Sequence, residues 1–334
     1  MKVFRGYQHP ALAVPCALTI GNFDGVHRGH QAMLALLKNE AQHRKLPARV
    51  MTFEPHPREY FAPQTAPARI STLRDKLTEL SRCGIDQTVV LPFNARLAGQ
   101  TAEAFIDDVL VKGLDARYVL VGDDFRFGAR RTGDYAMLDK AGEQLGFDVA
   151  RMNSYEVHGH RVSSSAVREA LALGRMEEAA ALLGRPYSIS GHVVHGKKLG
   201  RELGFRTLNI AFPHSRPAAS GIFAVRTHGL EAAGEMPIDG VASLGVRPTV
   251  EDGGRVLLEV HLLDWPRAGA AAAGLDNDYG KIVRVELLHK LHDELKYDGL
   301  AALQQGIARD CDDARAFFAS MHTETSRQTT RDRI

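Results

Sequence analysis

Short apolar runs alternate with amphipathic segments through the first half of the chain. Ala17-Leu18-Thr19-Ile20 predicts a strand, and 30–45 predicts a helix. Strands are likewise predicted over 49–53, 88–91, 117–121 and 147–152. Between them the pattern predicts helices over 72–83, stopped by Gly84, and over 101–111, with Thr101 as N-cap. A further helix is capped by Asp134 and ends near Gly146. Strand–helix alternation of this kind predicts a parallel sheet with helices on both faces.

Two more helices follow at 164–172 and 176–183, punctuated by Gly174 and Gly184. From Tyr187 the style changes. Strands at 187–195, 221–228, 237–244, 256–262 and 281–289 follow one another without intervening helices. That pattern predicts an antiparallel sheet or small barrel. A helix at 299–319 closes it. The expected division is a first domain over 1–184, a second over 185–320, and a flexible polar tail over 321–334.

Composition narrows the class. The 334 residues are 44% hydrophobic and 25% charged, enough apolar residues for two cores, which excludes a disordered or fibrous chain. Lys+Arg is 42 and Asp+Glu is 40, a near balance that argues against a dedicated nucleic-acid partner. Cys16, Cys83 and Cys311 are odd in number and stand far apart, so neither a disulfide framework nor a structural zinc site is expected. With no evident signal peptide and no apolar run long enough for a membrane span, a reducing, cytoplasmic setting is expected.

The first candidate site is Gly21-Asn22-Phe23-Asp24-Gly25-Val26-His27-Arg28-Gly29-His30, between a strand and a helix. A glycine-rich turn at a helix N-terminus offers backbone N–H groups and a favourable dipole to an anion. His27 and His30, three apart, are expected on one face of the first helical turn, where they can donate to polyphosphate oxygens. No Walker A or dinucleotide fingerprint is present. Downstream, Gly122-Asp123-Asp124-Phe125-Arg126-Phe127-Gly128 follows a strand, where open α/β sheets bind ligands. Ser163-Ser164-Ser165-Ala166-Val167-Arg168 opens a helix, with one serine expected as N-cap and Arg168 within reach of a phosphate.

The second candidate site runs from Gly191 to Asn209. It holds Gly196, Lys197, Lys198, Gly200 and Arg201 in a loop suited to phosphates. Thr207 and Asn209 face one side of an extended segment and suit a hard cation such as Mg²⁺. Glu259 stands in a mostly apolar strand, where a buried carboxylate is costly unless partnered or functional. Loops follow at Gly245-Val246-Arg247-Pro248-Thr249 and at Asp276-Asn277-Asp278-Tyr279-Gly280.

The motif Gly-x-Phe-Asp-Gly-x-His-x-Gly-His resembles the nucleotidyltransferase module of bacterial bifunctional FAD synthetases. Phe53-Glu54-Pro55-His56-Pro57, 122–128 and 163–168 fit the same family in order, with Ser165 where threonine is usual. The second half resembles the family's riboflavin kinase module. It departs from the usual pattern at Arg206 for proline, Leu208 for alanine and His292 for arginine, and Asp278-Tyr279-Gly280 matches only in part. The resemblance spans about residues 15–318.

The resemblance implies a Rossmann-like first domain and a small β-barrel second domain. It implies phosphorylation of riboflavin to FMN and adenylylation of FMN to FAD, with ATP and Mg²⁺. His27, His30 and Arg168 would act on phosphates in the first domain, beside Gly21, Phe23, Asp24, Gly29, Ser164 and Ser165. Asp124, Phe125, Phe127 and Arg247 would line flavin. In the second domain Gly196, Lys198, Gly200 and Arg201 would hold ATP, Thr207 and Asn209 the metal, and Glu259 would be the base. The partners expected are therefore riboflavin, FMN and ATP, without nucleic acid or membrane; self-association is left open. Two other readings stay open: a different phosphorylated or choline-like acceptor for the first half, and flavin binding without chemistry for the second.

Overall fold

The structure is a computed structural model. It describes residues 1–153, 155–157, 160–195, 204–214, 216–230, 236–246, 256–264 and 278–331. It divides into two compact units, one of Met1–Pro67 with Asp75–Ala166, the other of Ala68–Arg74 with Val167 onward.

The first unit carries β1 (Lys2–Arg5), β2 (Cys16–Ile20), β3 (Ala48–Glu54), β4 (Gln87–Pro92), β5 (Ala116–Gly122) and β6 (Asp148–Met152). They form one sheet in the order β1-β4-β3-β2-β5-β6, and every pair is parallel. Its helices are α1 (Arg28–His43), α2 (Pro57–Phe61), α3 (Leu73–Arg82, begun in the 68–74 segment), α4 (Ala95–Ala98), α5 (Ala102–Ala104) and α6 (Tyr135–Leu145). A two-stranded hairpin, β7 (Glu156–Val157) and β8 (His160–Arg161), lies apart from the sheet.

Both sheet faces are covered, as expected. Cys16, Leu18 and Ile20 of β2 enter one core with Phe105 and Val109, while Ala17 enters the other with Leu34 and Leu37 of α1. Thr101 caps α5 by accepting from Ala104 N at 3.2 Å, as the sequence predicts. The helix then widens into a π-helical stretch, Phe105–Gly113. Its buried positions 105, 109, 110 and 114 step by four, one and four, and Ile106 is buried beside Phe105. That spacing keeps one face apolar through an i→i+5 winding.

The second unit holds α7 (Ser164–Ala172, begun at the end of the first) and α8 (Met176–Leu183). Its strands are β9 (Tyr187–Val194), β10 (Thr207–Phe212), β11 (Gly221–His228), β12 (Ile238–Val246), β13 (Val256–Leu262) and β14 (Ile282–His292). They close into a barrel in the order β10-β13-β12-β11-β14-β9, with antiparallel neighbours throughout. Ile189, Leu208, Ile210, Phe223, Val225, Leu258, Val260 and Val285 form its interior.

Two expectations about organisation change. Val167, Ala170, Leu171, Met176, Ala179 and Leu183 put the apolar stripes of α7 and α8 into the barrel's core, as does Ile70 from the 68–74 segment. The first unit therefore ends near 166, not 184. The closing helix α9 (Leu300–Arg331) continues past 319 through most of the expected tail. Its residues Cys311, Ala314 and Phe318 pack on Ala224 and Val241 outside the barrel. Among the described residues, no helix is long and apolar enough to cross a membrane.

Candidate functional sites in the two units

In the first unit the strand order reverses beside β2. Its chain continues to β3 on one side, while β5 and β6 lie on the other. Such a switch point opens a crevice at the carboxyl ends of the strands, here β2 and β5. The loops leaving those strands are Gly21–His27 and the segment after Gly122, the two motifs the sequence singles out.

The geometry of the histidine pair differs from the expectation. His27 does not lie in the first turn of α1. It is the N-cap, with Nδ1 accepting from His30 N at 3.3 Å. A neutral ring that accepts at Nδ1 carries its proton on Nε2, so His27 presents an Nε2–H donor. Its ring stacks on that of His30 at 3.7 Å and 18°. The Phe23 ring lies 5.0 Å from that of His30, tilted by 56°. The first turn of α1 has no acidic residue, which leaves its N-terminus favourable to an anion.

The loop itself is tied down from several directions. Gln31 Nε2 donates to Val26 O at 2.8 Å, Thr52 Oγ1 to Asn22 O at 3.1 Å, and Ser164 Oγ to Asp24 O at 3.2 Å. Gly29 is needed for space. A Cβ there would stand 3.2 Å from both the His27 ring and Val162 O. Gly21 sits directly after β2, and Phe23 and Asp24 are each 1% exposed, so both support the loop from within.

The serine run resolves into separate tasks. Ser163 is the cap, accepting from Ala166 N at 3.2 Å, Ser164 holds the loop, and Ser165 is exposed on α7. Arg168 Nε donates to Ala68 O at 2.6 Å, a backbone task the sequence does not signal. Asp124 is exposed. Phe125 is half-buried and stacks on Phe127 at 5.4 Å, and Phe127 lies in the core against Phe105 at 5.6 Å.

One feature of this unit was missed. His56 caps α2 by accepting from Arg58 N, and Glu59 accepts from His56 N, both at 3.1 Å. The short helix presents Tyr60 and Phe61, which pack edge-on around Phe93 with Phe53. Phe61 is 66% exposed. The signal was the pair of aromatics just beyond Phe53-Glu54-Pro55-His56-Pro57.

In the second unit Glu259 is not fully buried. Residues 256–262 alternate strictly, with Val256, Leu258, Val260 and Leu262 inside and Leu257, Glu259 and His261 half-exposed. The outer face of the barrel therefore carries Glu259. Across β10, Asn209 is its Cα partner and Thr207 is the partner of His261. Across β12, its partner is Ser243. Asn209 is 7% exposed. His261 Nδ1 lies 2.9 Å from Arg206 O, bracing the strand's entry.

Among the described residues, no group of three or more His, Cys, Asp and Glu could hold a metal. Thr207 and Asn209 supply two neutral oxygens, the donor type Mg²⁺ accepts when phosphate oxygens and water complete its shell. Gly196, Lys198, Gly200, Arg201 and Arg247 lie outside the described residues. Asp278 is 5% exposed and receives Lys281 Nζ at 2.7 Å, and Tyr279 stacks on His195 at 3.7 Å.

Comparison with known proteins divides the chain in the same two. A family model described as FAD synthetase matches residues 9–166, and one described as riboflavin kinase matches 183–318. Bifunctional riboflavin kinase/FMN adenylyltransferase of Escherichia coli K12 is 47% identical over 95% of this chain and 98% of its own. The Haemophilus influenzae protein of that name is 42% identical over 96% and 100%. A solved structure, the macrolide-efflux protein from Streptococcus pneumoniae, is similar with a TM-score of 0.72 at 25% identity, covering 93% of this chain and 97% of that one.

Proposed function

The chain belongs to the bifunctional riboflavin kinase/FMN adenylyltransferase family, and on that premise we propose how named residues divide the two reactions. The second unit phosphorylates riboflavin with ATP to give FMN. The first transfers the adenylyl group of ATP to FMN, giving FAD and pyrophosphate.

The two steps make different demands. In the first, an alcohol attacks the γ-phosphorus, and a carboxylate within reach raises its nucleophilicity by taking the proton. Glu259 has that role. The observation that carries it is the placing of Asn209 and Glu259 as cross-strand partners on the barrel's outer face, with Thr207 on the same face. Mg²⁺ held by Thr207 and Asn209 would supply neutralisation of the triphosphate charge. Lys198, Arg201 and the glycines of their loop are the proposed phosphate cradle.

In the second step the nucleophile is a phosphate monoester, largely ionised at neutral pH since its second pKa is about 6. It needs orientation and charge stabilisation more than a base. The α1 N-terminus, His27 Nε2–H and His30 supply donors, and Ser165 extends them. Asp124 and Phe125 belong to the flavin side. The exposed ring of Phe61 adds an apolar face for a planar heterocycle.

The test is chromatography of flavins after incubation of the full chain with riboflavin, ATP and Mg²⁺. Successive appearance of FMN and FAD is the expected result. FMN without FAD would reject FMN as the acceptor of the first unit. FAD from supplied FMN, with none from riboflavin, would reduce the second unit to flavin binding.

A further inference from the structure

His292 ends β14, and both its ring nitrogens meet acceptors. Nε2 lies 2.8 Å from Asp310 Oδ1 on α9, and Nδ1 lies 2.6 Å from the carbonyl oxygen of Asp293. A neutral imidazole has one N–H and can satisfy only one of them. An imidazolium donates to both, so the surroundings select the charged ring.

Two residues on, Glu294 Oε1 accepts from Ser243 Oγ at 3.0 Å. Gly245 makes the room: a Cβ there would stand 2.1 Å from Glu294 Oε1. Ser243 is the Cα partner of Glu259, and Gly245 that of Leu257. The Glu294 carboxylate thus lies over β12, beside the strand that carries the proposed base.

We infer that His292 is a positioning residue of the kinase site, whose imidazolium ties the 292–294 turn to α9 and so holds Glu294 against Ser243, beside Glu259. The inference rests on the reading of Glu259 as base. Anchored through one oxygen, the Glu294 carboxylate keeps the other to accept from a hydroxyl of the substrate's polyol chain. That contact orients the attacking hydroxyl toward Glu259.

The charges around the ring are few. From α9 come Asp310 and Asp313, and from its own turn Asp293, whose carboxylate is held by Lys290 Nζ at 2.5 Å. Its partner on β11 is the uncharged Ile222. Burial opposes protonation, but the hydrogen bonds to Asp310 and Asp293 and the charges of Asp310 and Asp313 outweigh it and raise the pKa. The bridge is therefore complete below the ordinary histidine value of about 6.5 and is lost as pH rises through the raised one.

The experiment follows FMN formation from riboflavin, and FAD formation from supplied FMN, by the full chain from mildly acid to alkaline pH. The expected kinase kcat falls on the alkaline limb, with no matching inflection in adenylylation. His292→Arg, which keeps two donors at every pH, flattens that limb. His292→Ala lowers kinase kcat by about 100-fold, as misplacement of a reacting group does. An alkaline limb unchanged in His292→Arg, or full kcat in His292→Ala, overturns the inference. The ring titration of His292 by NMR reads the bridge without activity: a raised pKa that falls in Asp310→Asn supports it, and an ordinary one overturns it. Absence of FMN at every pH from the unmodified chain, with the raised titration present, instead overturns the reading of Glu259.

Discussion

Asn209 and Glu259 are Cα partners across the antiparallel pair β10–β13. Directly opposed residues of such a pair have Cα atoms roughly 4.5–5.5 Å apart and share a face. The amide that would hold the metal and the carboxylate that would take the proton are thus set by one register. Glu259→Ala is expected to lower FMN formation by about 10²–10⁴-fold, the usual contribution of a positioned base. FAD formation from supplied FMN is expected to be unchanged. Flavin chromatography reads both, and equal loss in the two reactions would mark Glu259 as structural.

His27 serves α1 twice, as cap acceptor through Nδ1 and as proposed donor through Nε2. The roles separate by substitution. His27→Ala should cost about 1 kcal/mol as a lost cap. His27→Asn retains a good cap acceptor and should unfold at nearly the wild-type temperature. Both should lower adenylylation by about 10²–10³-fold, the cost of one preorganised donor. Kinase rate should be spared. Thermal unfolding beside the two rates checks the separation, and full adenylylation in His27→Asn would confine His27 to capping.

The elements with strong periodicity were legible. Residues 164–172 and 176–183 are helices at the predicted positions, and 221–228 and 256–262 are strands as read. Short elements were not: β1, α2 and the β7–β8 hairpin are too brief for periodicity to register. The partner of an apolar stripe is also invisible in one dimension, so Leu171 and Leu183 gave helices but not the barrel they pack on. In the site, residue types were readable while their neighbours were not. Nothing local tells that Arg168 reaches Ala68 O, 100 positions away, or that Glu259 faces Asn209 and Ser243.

Gly29 tests how tightly the loop at the start of α1, the proposed phosphate site, is packed. Alanine is favoured over glycine within a helix by about 1 kcal/mol. At this position the added Cβ would press on the His27 ring and Val162 O at 3.2 Å. Gly29→Ala is therefore expected to gain no stability and to lower adenylylation about 100-fold through displacement of His27. Stabilisation by the full helix-propensity gain, with an unchanged rate, would show that the loop yields without consequence.

The three thiols should differ sharply in reactivity. Cys16 is buried, its Sγ directed at Leu114 O at 3.3 Å. Burial pushes its pKa up to about 12, with nearby Arg49 opposing and Asp115 adding to the shift. Cys311 is held at about 11, again mainly by burial, with Arg315 opposing. The thiolate is the reactive form, so both should stay inert at neutral pH, and half-buried Cys83 should react first. Titration with a thiol reagent is expected to modify one thiol quickly in the folded chain and all three in denaturant. Because the other two are protected by burial, their labelling should follow unfolding and not pH up to mildly alkaline values. Rapid loss of three thiols under native conditions would contradict the packing of Cys16 at the start of β2 in the sheet's core and of Cys311 between α9 and the barrel.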